Sequence, residues 1–217
     1  MLARGAVVAA LLFTSGWVAG AWVQDARYSV ARDDISDLGA MTAMHPWVML
    51  VPQGISGVLV LAFALGALEP ALRRNGERAS LGAWLVALSV MGLDNLSDPF
   101  FRLDRRAADA ARAAALAPSW HASLHLAVGA LTFVTTIAAC VVLARRMREL
   151  PQWRDLAAPT AWFGAVFAIV LAVYVLRYGA YGQGYTQRAL ELMSAGGVAV
   201  LALRVLRIEH AAGSPVP

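Results

Sequence analysis

His121 and His125 stand four residues apart in Ser119-Trp120-His121-Ala122-Ser123-Leu124-His125. Asp94, Ser97 and Asp98 are spaced by three and four in Gly92-Leu93-Asp94-Asn95-Leu96-Ser97-Asp98-Pro99. On helices, such spacings put each set on one face. An imidazole pair at i, i+4 can chelate one ion from a single helix, and catalytic zinc commonly takes three His, Asp or Glu ligands and a water. The candidate metal set is therefore His45, His121 and His125, completed by Asp94 or Asp98, with zinc as the expected cofactor. A metal-bound water attacks carbonyl or phosphoryl groups. Asp94, Ser97 and Asp98 are the candidate catalytic residues, with Asp98 or Ser97 orienting that water. The plainer reading is that histidines beside Trp120 bond headgroups or nearby carboxylates, and that Asp94 joins an Asp-Arg cluster tying loop to bundle.

Both polar ends border long apolar runs. The chain has 217 residues, of which 59% are hydrophobic and 15% charged, and its mean hydropathy is +0.61. A soluble domain of this size could not bury so much apolar surface. A spanning helix needs about 20 apolar residues, and six runs qualify, at about 5–24, 47–68, 80–98, 119–144, 158–177 and 187–207. The expected fold is an all-α polytopic bundle of six transmembrane helices, with a short amphipathic surface helix within 103–116 between helices three and four. Residues 1–210 form a single transmembrane domain and 211–217 a disordered tail. Arg4, the apolar stretch behind it and Ala19-Gly20-Ala21 have the form of a cleavable signal peptide. The run is long enough to span, however, and is read as a retained first helix. Pro99 closes helix three, and Ser119 is a good N-cap for helix four.

All 18 basic residues are arginine, the net charge is +4 and the pI is about 9.8. The arginines scatter around helix ends rather than gathering on one face, which excludes a nucleic-acid surface. Ten lie on the side of the two termini and eight on the other. Of the eight, Arg102, Arg105, Arg106 and Arg112 sit in or against the Ala-rich 103–116 segment, which reads as a surface helix rather than a translocated loop. The remaining bias puts both termini in the cytoplasm of a cell bounded by a bacterial cytoplasmic membrane. Cys140 is the only cysteine, so disulfides and a cysteine-based metal cluster are excluded.

The loop 25–46 then faces outward, and it holds far more polar groups than a connection requires. Arg27, Tyr28, Ser29 and Ser36, with Gln187 and Arg188 at the start of helix six, are the candidate ligand-binding residues for a lipid headgroup at the bundle mouth. Asp33, Asp34 and Asp37 supply oxygens suited to a hard cation, but without EF-hand spacing. Arg188 and Glu191, three apart, are positioned to pair.

Tyr28-Ser29, Ile35-Ser36-Asp37-Leu38-Gly39-Ala40, an Asp-Pro helix end, a His-bearing fourth helix and Gly184-Tyr185-Thr186-Gln187-Arg188 together resemble the six-helix membrane family catalogued as domain of unknown function 998. That resemblance implies a six-helix architecture with the motif residues on the outer side, and no activity. A second similarity, to ceramidase and adiponectin-receptor-like membrane hydrolases, rests on Ser97, Asp94 or Asp98, and His121-x-x-x-His125. It departs in having six helices rather than seven and in placing the His pair on helix four.

Three functions follow as expectations. The first is an extracytoplasmic His/Asp pocket for a lipid-like or amphiphilic ligand, with metal-dependent hydrolysis as its most concrete chemistry. The second is a proton- or ion-coupled transporter using Asp94, Glu191, Arg188 and the histidines. The third is a non-enzymatic membrane component that docks a partner protein through the outer loop and surface helix.

Overall fold

A computed structural model describes residues 1–73, 80–110 and 117–213, and among these the chain is all helix and loop. Among the described residues, five helices are long and apolar enough to cross a membrane: α1 (Leu2–Trp22), α2 (Trp47–Leu72), α4 (Trp120–Glu149), α5 (Pro151–Leu176) and α6 (Gln183–Gly213). Where the sequence predicts a third span, the structure has a shorter, interrupted apolar helix, α3 (Leu81–Ser97). Fully α-helical, seventeen residues reach on the order of 26 Å, less than a hydrocarbon core of about 30 Å.

The interruption has a local cause. After Leu81–Ala87 the backbone turns extended at Ser89, whose hydroxyl donates to Val86 O (2.7 Å), and a π-helical turn over Val90–Asp94 follows. Gly92 is needed there because a Cβ would overlap Ala87 O. Such π-turns gather at functional sites, and this one delivers Asp94 and Asp98 to one end of the bundle.

Small residues set the packing. Ala3, Ala6, Ala9 and Ala10 give α1 a shallow buried stripe against α2 and α6, the close approach that membrane helices use in place of a hydrophobic driving force. Gly16 sits where a Cβ would lie 2.9 Å from Pro52, and Gly57 where one would lie 2.5 Å from Leu96 N. The main core joins α1 and α2 to α3, α4 and α6 through residues such as Phe13, Phe63, Val86, Leu143 and Val198. By contrast α5 is peripheral, burying Trp153 at its start and then only Ala157, Gly164 and Phe167 along its length.

Of the expected surface helix, Ala107–Ala110 is helical, and 111–116 lie outside the described residues. Residues 74–79 also lie outside them. Helix α6 continues to Gly213, and 214–217 fall outside.

Candidate functional site

The loop 25–46 folds into the mouth of the bundle. A 3₁₀ turn at Ser36–Gly39 carries Asp37, Leu38 and Gly39 inward, and Asp33 and Asp34 are buried with them. Arg188 on α6 is the anchor. Its Nη1 donates to Val30 O (2.9 Å), Asp33 O (2.9 Å) and Gly184 O (2.8 Å), and its Nη2 to Tyr28 Oη. The guanidinium also lies over the Trp17 and Tyr28 rings, 5.7 and 5.9 Å from their centroids. Burial pushes the Tyr28 phenol up to about 12. Gly184 makes this approach feasible, since a Cβ would collide with Val30 O and Asp33 O. Gln187 Oε1 accepts from Ile35 N. The Gly184-to-Arg188 motif is thus the clamp that holds the Tyr28-to-Ala40 motif. The expected Arg188–Glu191 pair does not form, because the loop carbonyls take the guanidinium.

A second strap crosses the mouth. Arg102 donates to Gly39 O (2.8 Å) and Ala40 O (2.9 Å), and Ala107 N donates to Asp37 Oδ1 (2.8 Å). Arg106, fully buried, bonds Asp25 (3.2 Å) and Asp109 (2.8 Å), and Arg27 joins the same two carboxylates. The Arg106 and Arg27 guanidiniums hold Asp25 far below the usual carboxylate range.

Beneath these straps lies a cavity of about 870 Å³. Its floor carries Asp94 and Asp98 from α3, Gln53 from α2, His125 from α4 and Glu191 from α6. Its roof carries Asp34, Ser36 and Asp37. Asp98 Oδ2 accepts from Gln53 Nε2 (2.5 Å), while His125 Nδ1 lies 2.9 Å from Asp98 Oδ1, without an aligned hydrogen bond, and 3.1 Å from Phe101 O. Asp34 Oδ2 accepts from Tyr174 Oη (2.8 Å) and Gln183 Nε2 (2.7 Å). Burial, above all, raises the Asp34 carboxyl, and burial with the neighbouring Asp34 and Asp33 charges pushes Asp37 up to about 6. Among the described residues, four buried carboxylate oxygens of this cavity have no hydrogen-bond partner: Asp34 Oδ1, Asp94 Oδ1, Glu191 Oε2 and Asp98 Oδ1, the last with His125 beside it.

On one side the wall is apolar. Leu126, Phe133 and Val134 of α4 face Leu171, Tyr174 and Val175 of α5, and several of these, Leu126, Val134 and Val175, are exposed on the outside of the bundle. Residues of α4 and α5 that line the cavity are thus exposed on the outside of the bundle as well.

The structure divides the predicted site residues. Asp94, Asp98, His125, Ser36 and Gln187 line the cavity. Ser97 does not, and its hydroxyl donates to Asp94 O (3.0 Å). His121 turns toward Ser119 Oγ (2.9 Å) and Asp104 (3.7 Å), outside the cavity lining. His45 is exposed, at positive φ, and also lies outside the lining. Among the described residues, no three His, Cys, Asp or Glu side chains are grouped to hold a metal. Tyr28 and Arg188 hold the loop, Arg27 belongs to the outer strap, and Ser29 N donates to Asp33 Oδ2 (2.7 Å). Sequence reasoning passed over Gln53, Tyr174 and Gln183 as site residues, and offered Asp34 only as an oxygen for a hard cation. Gln53 left a signal, a lone amide inside an apolar span, where polar groups ask for partners.

No curated protein and no solved structure matches the chain. The family model described as "Protein of unknown function (DUF998)" matches residues 7–204. With nearly the whole chain covered, and with its two motif stretches meeting as clamp and loop, the protein belongs to the DUF998 family of proteins of unknown function.

Proposed function

We propose that the cavity binds an amphiphilic, lipid-like molecule that enters from the bilayer between α4 and α5, its polar end toward the floor carboxylates and its chain toward the gap. The supporting observation is the cavity's polarity gradient, with carboxylates, amides and an imidazole inside and exposed apolar side chains on the α4 and α5 side. Pockets that combine an apolar wall with a few converging polar groups are the usual form of small-molecule sites. The arginine distribution supports a cytoplasmic location for both termini, which sets the cavity in the outer half of the membrane.

Photo-crosslinking tests this reading. The protein in lipid nanodiscs is exposed to a diazirine-bearing dodecyl phosphocholine, and adducts are mapped by mass spectrometry. Adducts concentrated on 126–134 and 171–178, and lost in a Gly129→Phe variant that fills the cavity, are the expected result. Adducts spread evenly over the exposed faces of α1, α2 and α5, unchanged in the variant, would overturn it. Elemental analysis separates the hydrolytic form of the idea. Amphiphile binding alone requires no metal, whereas about one zinc per chain, lost in His125→Ala but kept in His121→Ala, would make the same cavity a hydrolytic centre.

A further inference from the structure

Building on the amphiphile reading, we infer that the cavity selects a cation, and that its ligand is an ammonium group carried on an apolar chain. Five carboxylates line the cavity, Asp34, Asp37, Asp94, Asp98 and Glu191, against two cationic side chains, His125 and Arg105. The carboxylates are not equally occupied. Asp37 accepts from the Ala107 and Asp34 amides, and Asp98 from Gln53 with His125 beside it. Asp94 and Glu191 are different: they are 8% and 5% exposed, and Asp94 Oδ1 and Glu191 Oε2 have no protein partner. Asp34, also 8% exposed, keeps one oxygen unpartnered. Buried carboxylate oxygens left without donors are costly, and a cationic head supplies both the charge and, where it carries N–H groups, the donors.

The aromatic side of the cavity agrees with this choice. Phe133, Tyr174 and Tyr178 form a chain of ring contacts, with centroids 6.3 and 6.1 Å apart, and ring faces attract ammonium groups, quaternary ones included. An anionic head would meet the unpartnered carboxylate oxygens of Asp94 and Glu191, with His125 near Asp94 but no arginine on the cavity floor to offset them. The apolar chain would leave past Phe133 and Leu171 through the gap between α4 and α5.

The test uses a cysteine at the cavity floor. Gly129 faces Asp94, since a Cβ there would lie 3.8 Å from Oδ1, and Cys140, the one native thiol, is first replaced. In nanodiscs, Gly129→Cys/Cys140→Ala is reacted with the cationic trimethylammonium-ethyl methanethiosulfonate and with its anionic sulfonatoethyl counterpart. The rate ratio, normalised to the same ratio on a free thiol, cancels the cysteine's own ionisation. A preference of about tenfold or more for the cation is expected, falling toward unity in both Asp94→Asn and Glu191→Gln. Two near-isosteric variants on different helices guard against one of them misfolding. Dodecyltrimethylammonium, but not dodecanoate or dodecyl maltoside, should protect the thiol.

Equal protection by all three amphiphiles would overturn the charge assignment while leaving the cavity as an amphiphile site. Protection by none, with the thiol still reactive, would overturn both. A preference unmoved by either carboxylate substitution would overturn the cation inference alone.

Discussion

Arg188 is the most consequential single side chain. It serves two loop carbonyls, the Gly184 carbonyl of its own helix and the Tyr28 hydroxyl from inside the bundle, and a hydrogen bond to a charged group contributes about 1.5–3 kcal/mol. Arg188→Ala should therefore cost about 3 kcal/mol or more of stability and expose 25–46 to protease. Arg188→Lys should not restore it, because one ammonium cannot replace the planar fork. Gly184→Ala should reproduce the loop phenotype without touching a charge, since its Cβ meets backbone oxygens that cannot swing aside. Thermal unfolding and limited proteolysis in detergent check all three. Asp37 makes a different prediction. Its carboxyl binds its proton more tightly folded, at about 6, than at its ordinary 3.8. The stability it contributes is complete below 3.8 and is lost as the pH rises through about 6. The melting temperature should fall across that window, and Asp37→Asn should flatten the fall. Asp34, raised in the same direction by burial, leaves a residual slope. At this scale the sequence was informative about faces and silent about partners. The i, i+4 spacing correctly put His121 and His125 on one side of α4, but only the folded loop decides that one meets Asp104 and the other Asp98.

The decisive element is α3. Its composition reads as an ordinary span, because hydropathy averages over the Leu88–Ser89 break and the π-turn that follows. The clue was Gly92, whose lack of a Cβ is meaningful only once Ala87 O is known to lie against it. Gly92→Ala should unseat the π-turn and rotate Asp94 away from the cavity. The diazirine adducts on α4 should fall several-fold while the far end of the bundle keeps its packing, which cysteine accessibility at positions along α2 would report. The outer loop was more legible. Its density of polar groups pointed to something beyond a connection, and the motif residues on α6 are the ones that bury it. What composition could not convey is that Arg27 and Ser29 serve the strap and the loop while Gln53 and Glu191 reach the cavity, since each is one polar residue among many until the helices are oriented.

For the whole molecule, the peripheral position of α5 matters most. It buries few residues and lines the cavity on the side of the proposed lateral entry. Val175→Trp, on that side, should slow protection of a Gly129→Cys thiol by dodecyltrimethylammonium several-fold without changing reactivity toward small reagents that enter by the loop. Equal slowing of both would mean a single entrance. The clamp between α6 and the outer loop has a further consequence, for biosynthesis. Arg188 and Val30 are 158 positions apart, so at about 5–20 residues per second the loop waits roughly 8–30 s for its anchor to be made. Throughout that interval Asp33, Asp34 and Asp37 have no finished bundle to enter. Closure of the mouth thus cannot precede synthesis of α6, and a nascent chain cut short before α6 would present an open, acidic loop that quality-control proteases can recognise.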